Sequence, residues 1–596
     1  MKWARRIGAG ILIALGQCAA AETPAVSPVT TTPAPIPSAS APPASAPAIS
    51  PPANDSDLSL KPTGFTGKSP VRAKPGNDDF LPVPDRWRIG VPPGYLRNAE
   101  RGGFLDPYHQ NVLKGDYPIF GQDIFLNFTG ISDTVFEARR LPVPSGVSTL
   151  KPDRLGFFGA GDQAFVTQNL ILSFELFEGD TAYRPRDWEI RFTPVLNFNY
   201  LFTGEQGLVD PDVREGRDRF DSWIGIQEAF VEKHLGDLSA KYDFWALRLG
   251  VQGFNSDFRG FLFADNQPGA RLFGTFDNNQ YQWNLAYFYT LDKDTNSGLN
   301  SYSARDQHVL AANIYRQDFL FPGYTLQFSF YANIDNGGFE LDDNGFIVRP
   351  APVGVVRDKE VRAYYFGWAG DGHIGPVNIS HQFYQAWGQE SFNNIAGRET
   401  NINAQFFAAE ISYDQDWLRY RASFAYASGD SDPFDSHANG FDSIFDNPNF
   451  AGGGNSLFNR QGIRLTGAGV NLVNRQSFLP DLRTSKEQGQ ANFVNPGLFI
   501  YNIGVDAELT TRLRLSANVN FLQFSNTSVI REVLHDNKIG RDIGIDYSIG
   551  VQYRPLLNNN VIFNIGAAAL TPGQGFKDMY SSETLYSVFM GLTLSY

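Results

Sequence analysis

From about residue 121 to the C-terminus, apolar and polar residues take turns along the chain. Trp188, Ile190, Phe192, Leu196, Phe198 and Tyr200 alternate with Glu189, Arg191, Thr193, Asn197 and Asn199. Tyr281, Trp283, Leu285, Tyr287 and Tyr289 are set against Gln282, Asn284, Ala286 and Thr290. Leu513, Leu515, Ala517, Val519 and Phe521 are set against Arg512, Arg514, Ser516, Asn518 and Asn520, and Ile543 to Tyr553 repeats the pattern against Asp542, Asp546, Ser548, Gln552 and Arg554. A period of two places one kind of residue on each face of a strand. Alternation alone also fits a half-buried soluble sheet. Many of these runs are longer than the roughly 5 to 6 residues of ordinary strands and reach the roughly 9 to 11 that a tilted membrane strand needs.

The connections sharpen the reading. About 18 such strands are separated by links that alternate short and long, as the two rims of a transmembrane barrel require. Short links fall near 181–185, 235–240, 276–278, 319–322, 373–375, 415–416, 511 and 555–559. Long ones fall near 142–163, 206–221, 293–304, 334–359, 390–400, 429–496, 524–541 and 572–581, and a brief link near 253–258 breaks the rule. An open sheet would leave backbone groups unpaired in hydrocarbon, so spanning strands must close into a ring. The predicted fold is therefore all-β, a transmembrane antiparallel barrel over 121–596. Its even strand number would leave both ends of the chain on one side. A lumen of that size is too wide to be filled by wall side chains alone, so a watery passage is expected unless loops or the N-terminal segment close it.

The N-terminus bears on the compartment. Lys2, Arg5 and Arg6 precede an apolar stretch from Ile7 to Leu15, and Ala19-Ala20-Ala21 offers a small-residue cleavage site. This predicts a secretory signal over 1–21. Lipidation at Cys18 is disfavoured by the bulk of Gln17 before it. Cys18 is the single cysteine, so the exported chain would carry no disulfide or thiolate metal site. Removing three cations takes the formal charge from -14 to -14 minus 3, or -17. After the signal no apolar run reaches the roughly 18 residues of a membrane helix. Residues 22–56 are almost wholly Pro, Ala, Ser, Thr and Val and read as a disordered periplasmic linker. Residues 57–120 read as a periplasmic segment, either a cap or a partial plug.

Aromatic residues make up 14% of the chain and charged residues 19%, a balance suited to an apolar solvent outside. The polar face supplies candidate pore-lining residues: Glu189, Arg191, Arg248, Arg271, Arg421, Arg512, Arg514, Asp546 and Arg554, with Asp506 and Glu508 as further carboxylates. Such charges tune ion selectivity or pair with one another and hydrate the wall. The segment at about 429–496 is long enough to fold inward, cover the mouth or protrude. Its Asp430, Asp432, Asp435 and Asp442 have carboxylate oxygens suited to calcium, yet the spacing lacks a full ligand loop, so a solvated acidic loop is the expectation. No cofactor, metal or catalytic site is expected. Of seven histidines only His381 falls in a plausible strand, and no basic stripe invites nucleic acid.

The phrase Phe424-Ala425-Tyr426-Ala427-Ser428-Gly429-Asp430, followed by Phe441-Asp442-Ser443-Ile444-Phe445, resembles the alginate export family of outer-membrane porins. Arg248-Leu249-Gly250-Val251-Gln252, Asp257-Phe258-Arg259-Gly260-Phe261 and Gly269-Ala270-Arg271-Leu272-Phe273-Gly274 are similar to stretches of such porins. The resemblance implies an 18-stranded barrel with an arginine-rich lumen that passes an anionic polysaccharide. The last strand, with Val588, Met590, Leu592, Leu594 and Tyr596 on its apolar face, looks like the C-terminal signal read by the barrel assembly machinery. The expectation is a porin-like channel of a Gram-negative outer membrane, in contact with lipid and lipopolysaccharide, for small polar solutes or an anionic saccharide. The alternative is a structural or adhesive barrel with a blocked lumen and partner-binding loops.

Overall fold

The computed structural model describes residues 103, 106, 109–149, 159–179, 185–241, 243–467 and 469–596. The predicted signal and linker, and most of the segment before residue 109, lie outside the described residues.

Eighteen long antiparallel strands form the wall. They are β1 (Ile124–Arg140), β2 (Asp162–Glu178), β3 (Trp188–Thr203), β4 (Asp218–Asp237), β5 (Phe244–Asn255), β6 (Ala264–Phe276), β7 (Tyr281–Lys293), β8 (Asn300–Arg316) and β9 (Tyr324–Asp335). The second half holds β10 (Val361–Ile374), β11 (Val377–Asn393), β12 (Arg398–Gln415), β13 (Leu418–Ala427), β14 (Leu498–Thr510), β15 (Leu513–Phe524), β16 (Asp542–Tyr553), β17 (Val561–Pro572) and β18 (Leu585–Ser595). Each strand pairs with its sequence neighbour. The ring closes where β1 pairs with β18, from Ile131 opposite Ser595 to Arg140 opposite Tyr586. Beyond that ladder Tyr596 exchanges backbone hydrogen bonds with Gly130. Closure leaves no sheet edge, which is what hydrocarbon demands.

The alternation resolves into an inverted barrel, apolar outside and polar within. Phe136, Ile224, Leu310, Ile503 and Met590 face outward and are 45–63% exposed, while Glu137, Asn197, Asn333 and Asp546 face inward and are buried. A broad apolar exterior around a closed ring is stable only against lipid, so the barrel spans a membrane.

Short turns gather at one rim and longer connections at the other. At the short-turn rim Asp277, Asn278 and Asn279 all adopt positive φ of 58–61°, which short polar side chains tolerate better than others. Three connections differ from the sequence reading, the first being the link expected near 293–304, which is only 294–299 because β7 and β8 stay paired up to Lys293 opposite Asn300. The link expected near 390–400 is only 394–397, because β11 and β12 stay paired up to Asn393 opposite Arg398. The brief link near 253–258 is the eight-residue segment 256–263, and it breaks the pattern because it leaves the wall for the lumen.

That departure opens the ladder locally. β4 pairs with β5 only over Ala229–Asp237, and β6 pairs with β7 only over Gly269–Phe276. Above these limits the β5–β6 hairpin joins the buried core inside the barrel through Phe254, Phe261, Leu262 and Phe263. Side chains close the seam left behind. Trp223 Nε1 donates to Asn300 O at 3.1 Å, Asn300 Nδ2 to Ile226 O at 3.2 Å, and Tyr302 Oη to Ile224 O at 2.7 Å.

The described part of the N-terminal segment, from residue 109, packs at the short-turn rim beside the closing strands. Lys114 Nζ donates to Phe128 O at 2.8 Å and lies 4.1 Å from the centre of the Tyr596 ring.

Candidate functional site

The candidate site is the lumen. Its upper part is occupied by the 428–497 segment between β13 and β14, which turns inward. The segment leaves the wall through a tight neck. A Cβ on Gly429 would lie 2.1 Å from Pro496 O, and one on Gly497, at φ +64°, would lie 2.4 Å from Ser428 O. Only glycine allows the outgoing and returning chains to touch. Asp430 N donates to Asn495 O at 2.7 Å, and the Asp430 carboxylate accepts from the backbone of Asp432 at 2.9 Å and Asn439 at 3.0 Å. The Tyr-Ala-Ser-Gly-Asp phrase is thus the neck of this segment.

Inside the ring the segment builds an apolar core. Its Phe441, Ile444, Phe450, Phe458, Phe478 and Phe493 are buried with Tyr365, Tyr384 and Phe406 of the wall. Phe441 stacks on Phe406 at 5.2 Å, and Phe261 from the β5–β6 link meets Phe406 at 5.0 Å and Phe450 at 5.3 Å. Each such ring is worth about 2–3 kcal/mol of burial. Polar contacts fix the core to strands around the circumference. Arg460 pairs with Glu137 of β1 at 2.8 Å, Gln490 Nε2 donates to Asp335 of β9 at 2.9 Å, and Phe493 N donates to Glu390 of β11 at 2.9 Å. Asn520 Nδ2 of β15 donates to Ala451 O at 2.9 Å, and Asp546 of β16 accepts from Leu457 N at 3.1 Å and from the Ser456 hydroxyl.

Arg483 makes its ion pairs wholly within the segment, with Asp442 and, at 3.9 Å, with Asp481. Arg483 Nε donates to Asp442 Oδ2 at 2.8 Å, and its Nη2 contacts Asp442 Oδ1 at 2.8 Å. Burial pushes the Asp442 carboxyl up to about 6 despite the opposing pull of Arg483. Burial opposes the charge of Arg483 too, but Asp442 and Asp481 outweigh it and hold its pKa above the ordinary value. Burial likewise raises Asp430 to about 6, against the backbone hydrogen bonds it accepts. The acidic segment therefore differs from the solvated loop expected from its composition. Asp430 and Asp442 are buried, whereas Asp432 and Asp435 are exposed or partly exposed and cap local turns through Phe434 N and His437 N. The physical reason lies in the phenylalanines spaced among the aspartates, which outweigh a few carboxylates once an enclosed wall is available to pack against.

Below this core, toward the short-turn rim, two charge networks line opposite stretches of wall. On the β2–β6 side Arg191 contacts Glu175 at 2.5 Å, Glu189 at 2.8 Å and Glu228 at 3.5 Å, and Arg186 contacts Glu189 at 2.7 Å. Arg248 Nε donates to Glu232 at 2.7 Å. Arg271, registered opposite Arg248, donates to Asn284 Oδ1 at 2.7 Å and lies over Phe273. On the β12–β15 side Arg421 contacts Asp506 at 3.0 Å, and Arg514 contacts Asp506 at 3.2 Å and Glu508 at 3.6 Å. Arg259, carried by the inward link, reaches Glu410 at 2.9 Å and Ser380 Oγ at 3.2 Å.

Seven of the nine wall residues singled out from sequence are on strands with inward faces: Glu189, Arg191, Arg248, Arg271, Arg421, Arg514 and Asp546. Arg512 sits in the two-residue turn between β14 and β15, and Arg554 lies one residue past the end of β16, where its N–H donates to Arg512 O. Both mark the rim, because alternation does not say where a strand stops. Asp546 belongs with the inward segment rather than the lower networks. Sequence reasoning missed Arg259, Glu410, Glu137 and Arg483. The run Phe258-Arg259-Gly260-Phe261-Leu262-Phe263 carried a usable signal, being too apolar for a solvated loop. His381 lies on the outward face against Tyr324 and Trp368. Among the described residues no group of three or more His, Cys, Asp or Glu side chains is placed to hold a metal ion.

No protein-family model and no curated protein matches the chain. Solved structures with some likeness to it include OccK9 (OpdG) of Pseudomonas aeruginosa, at 11% identity over 79% of this chain and 98% of that one, with a TM-score of 0.42. Others are OccAB4 of Acinetobacter baumannii, at 10% identity over 80% and 98% with a TM-score of 0.42, and a BenF-like porin of Pseudomonas fluorescens Pf-5, at 9% identity over 79% and 98% with a TM-score of 0.41. Likeness this loose leaves function to be argued from the chain's own geometry.

Proposed function

We propose that this chain is a porin-like channel of a bacterial outer membrane for small polar solutes, narrowed by its own 428–497 segment. The observation that carries the reading is the wet lower lumen. Arg514 and Glu508 face inward with side chains 40% and 47% exposed, on a wall whose outer face is apolar. Charges accessible to water inside a lipid-facing ring mark a hydrated path. Because nearly every inward arginine of the two networks has a carboxylate beside it, the wall suits small zwitterionic or neutral solutes. An anionic polysaccharide, which the resemblance to alginate export porins suggests, has less support for the same reason. In this reading the short-turn rim and both chain ends are periplasmic, the long connections meet lipopolysaccharide, and Tyr596 is read by the assembly machinery.

A second reading draws on the extent of the inward core: the lumen is blocked, and the outer connections bind a partner. Planar-bilayer recording separates the two. The channel reading expects stepwise conductance from the purified, folded chain, with a weakly selective reversal potential, and a larger unit conductance when 430–495 is replaced by a short turn. A silent chain that conducts only after that replacement supports the blocked barrel. Silence in both overturns the channel.

A further inference from the structure

A hollow on the outside of the barrel is unlike the rest of the lipid-facing belt. It has a cavity volume of about 650 Å³ and lies at the short-turn rim, among Tyr281, Ile314, Arg316, Phe319, Leu326 and Trp368. That size falls within the roughly 300–1,000 Å³ of ligand pockets. Tyr324 and Leu326 share the outward face of β9 with Phe328 and Phe330, yet are only 8% and 7% exposed where those two are 44% and 42% exposed. The β8–β9 turn folds over Tyr324, and Leu326 lines the hollow beside it. Phe319 N donates to Tyr324 O at 2.9 Å, and the Phe321 ring lies 5.2 Å from that of Tyr324.

The polar atoms of the floor are spent on one another. Tyr324 Oη and His381 Nε2 are hydrogen-bonded at 2.8 Å, and the His381 ring lies 4.8 Å from Trp368. Gly370 makes that bond possible, since a Cβ there would lie 2.1 Å from Tyr324 Oη and 2.4 Å from His381 Nε2. What remains is an apolar trough with one cation at its edge. Arg316 is exposed, donates to Tyr281 Oη at 2.5 Å and lies over the Tyr281 ring. Among the described residues no carboxylate lies within ion-pair distance of it.

We propose that this trough binds a glycerophospholipid, with an acyl chain along Ile314, Leu326 and Phe328 and the headgroup phosphate on Arg316. A guanidinium pinned between the Tyr281 and Phe319 rings at a membrane boundary has the geometry for a phosphate, and the apolar trough has the geometry for a chain. The proposal rests on the outer-membrane reading with the short-turn rim facing the phospholipid leaflet.

The test is native mass spectrometry of the detergent-purified barrel titrated with dioleoylphosphatidylglycerol, with lipid A as a separate arm. Folding of each variant is checked by heat-modifiable migration. The expected result is one tightly retained phospholipid per barrel. Arg316→Gln weakens its retention at least about tenfold, the scale of one lost charged hydrogen-bonding group. Arg316→Lys keeps part of it, and Ile314→Trp, which fills the trough, removes it. Equal retention by wild type, Arg316→Gln and Ile314→Trp overturns the proposal. So does preference for lipid A, or a mass showing two barrels joined with no lipid. Bilayer conductance is read on the same preparations, so a conducting barrel without bound lipid defeats this inference alone.

Discussion

At the scale of single residues, the telling positions are the buried charges of the inward segment. Arg483 is one of the largest fully buried side chains in the molecule, and Asp442 is its nearest counter-charge. Removing one member of such a pair strands the other in an apolar core, at a cost of about 3–5 kcal/mol. Arg483→Leu is therefore expected to loosen the 428–497 segment while leaving the wall intact. Limited proteolysis should then cut within the segment, and strand content by circular dichroism should be unchanged. Asp430 adds a pH dependence. Its pKa is raised by burial from 3.8 to about 6, so the folded state favours the protonated form. The stabilisation this provides is complete below about pH 3.8 and is lost as pH rises through 6. Asp442 has the same sign. The melting temperature is expected to be higher at pH 5 than at pH 8, with the difference reduced in Asp430→Asn.

At the scale of elements, strand existence was legible because each strand meets lipid on one face and water or packed polar groups on the other. That contrast is strong in β3, β7, β15 and β16, the runs in which it is easiest to read. Strand ends were less legible, as Arg512, Arg554 and the short 394–397 turn demonstrate. Pairing continues for as long as two backbones stay adjacent, whatever the residue type. The same limit applies to the seam beside β4, where ladder bonds give way to side chains. Asn300→Ala would leave Ile226 O and Asn266 O without the donor they share. This is expected to cost about 1–3 kcal/mol, read as a lower unfolding temperature, with faster hydrogen exchange confined to 222–228 and 299–304.

At the scale of the whole molecule, the barrel and its contents are separable. The ring is held by eighteen consecutive pairings that run through β1 and β18, and none of them requires residues 430–495. Replacing that segment with a short turn is expected to leave a folded, heat-modifiable barrel, with the networks around Arg191 and Arg421 in place and the core gone. A chain that no longer folds would show instead that the interior is part of the scaffold.

Local chemistry by itself determined the membrane-spanning ring. The period of two, the strand length and the alternation of short and long links are all properties of neighbouring residues, and closure follows from the cost of an unpaired backbone in hydrocarbon. The lower wall was also legible where a charged residue keeps the phase of the polar face of its strand, as Arg191 keeps that of Asn197 and Asn199. Tertiary structure decided what fills that lumen. Phenylalanines and aspartates between β13 and β14 are compatible with solvent, a partner or an interior. Only the curved wall of Tyr365, Tyr384, Phe406, Asn520 and Asp546, assembled from distant strands, makes the interior the lower-energy place for them.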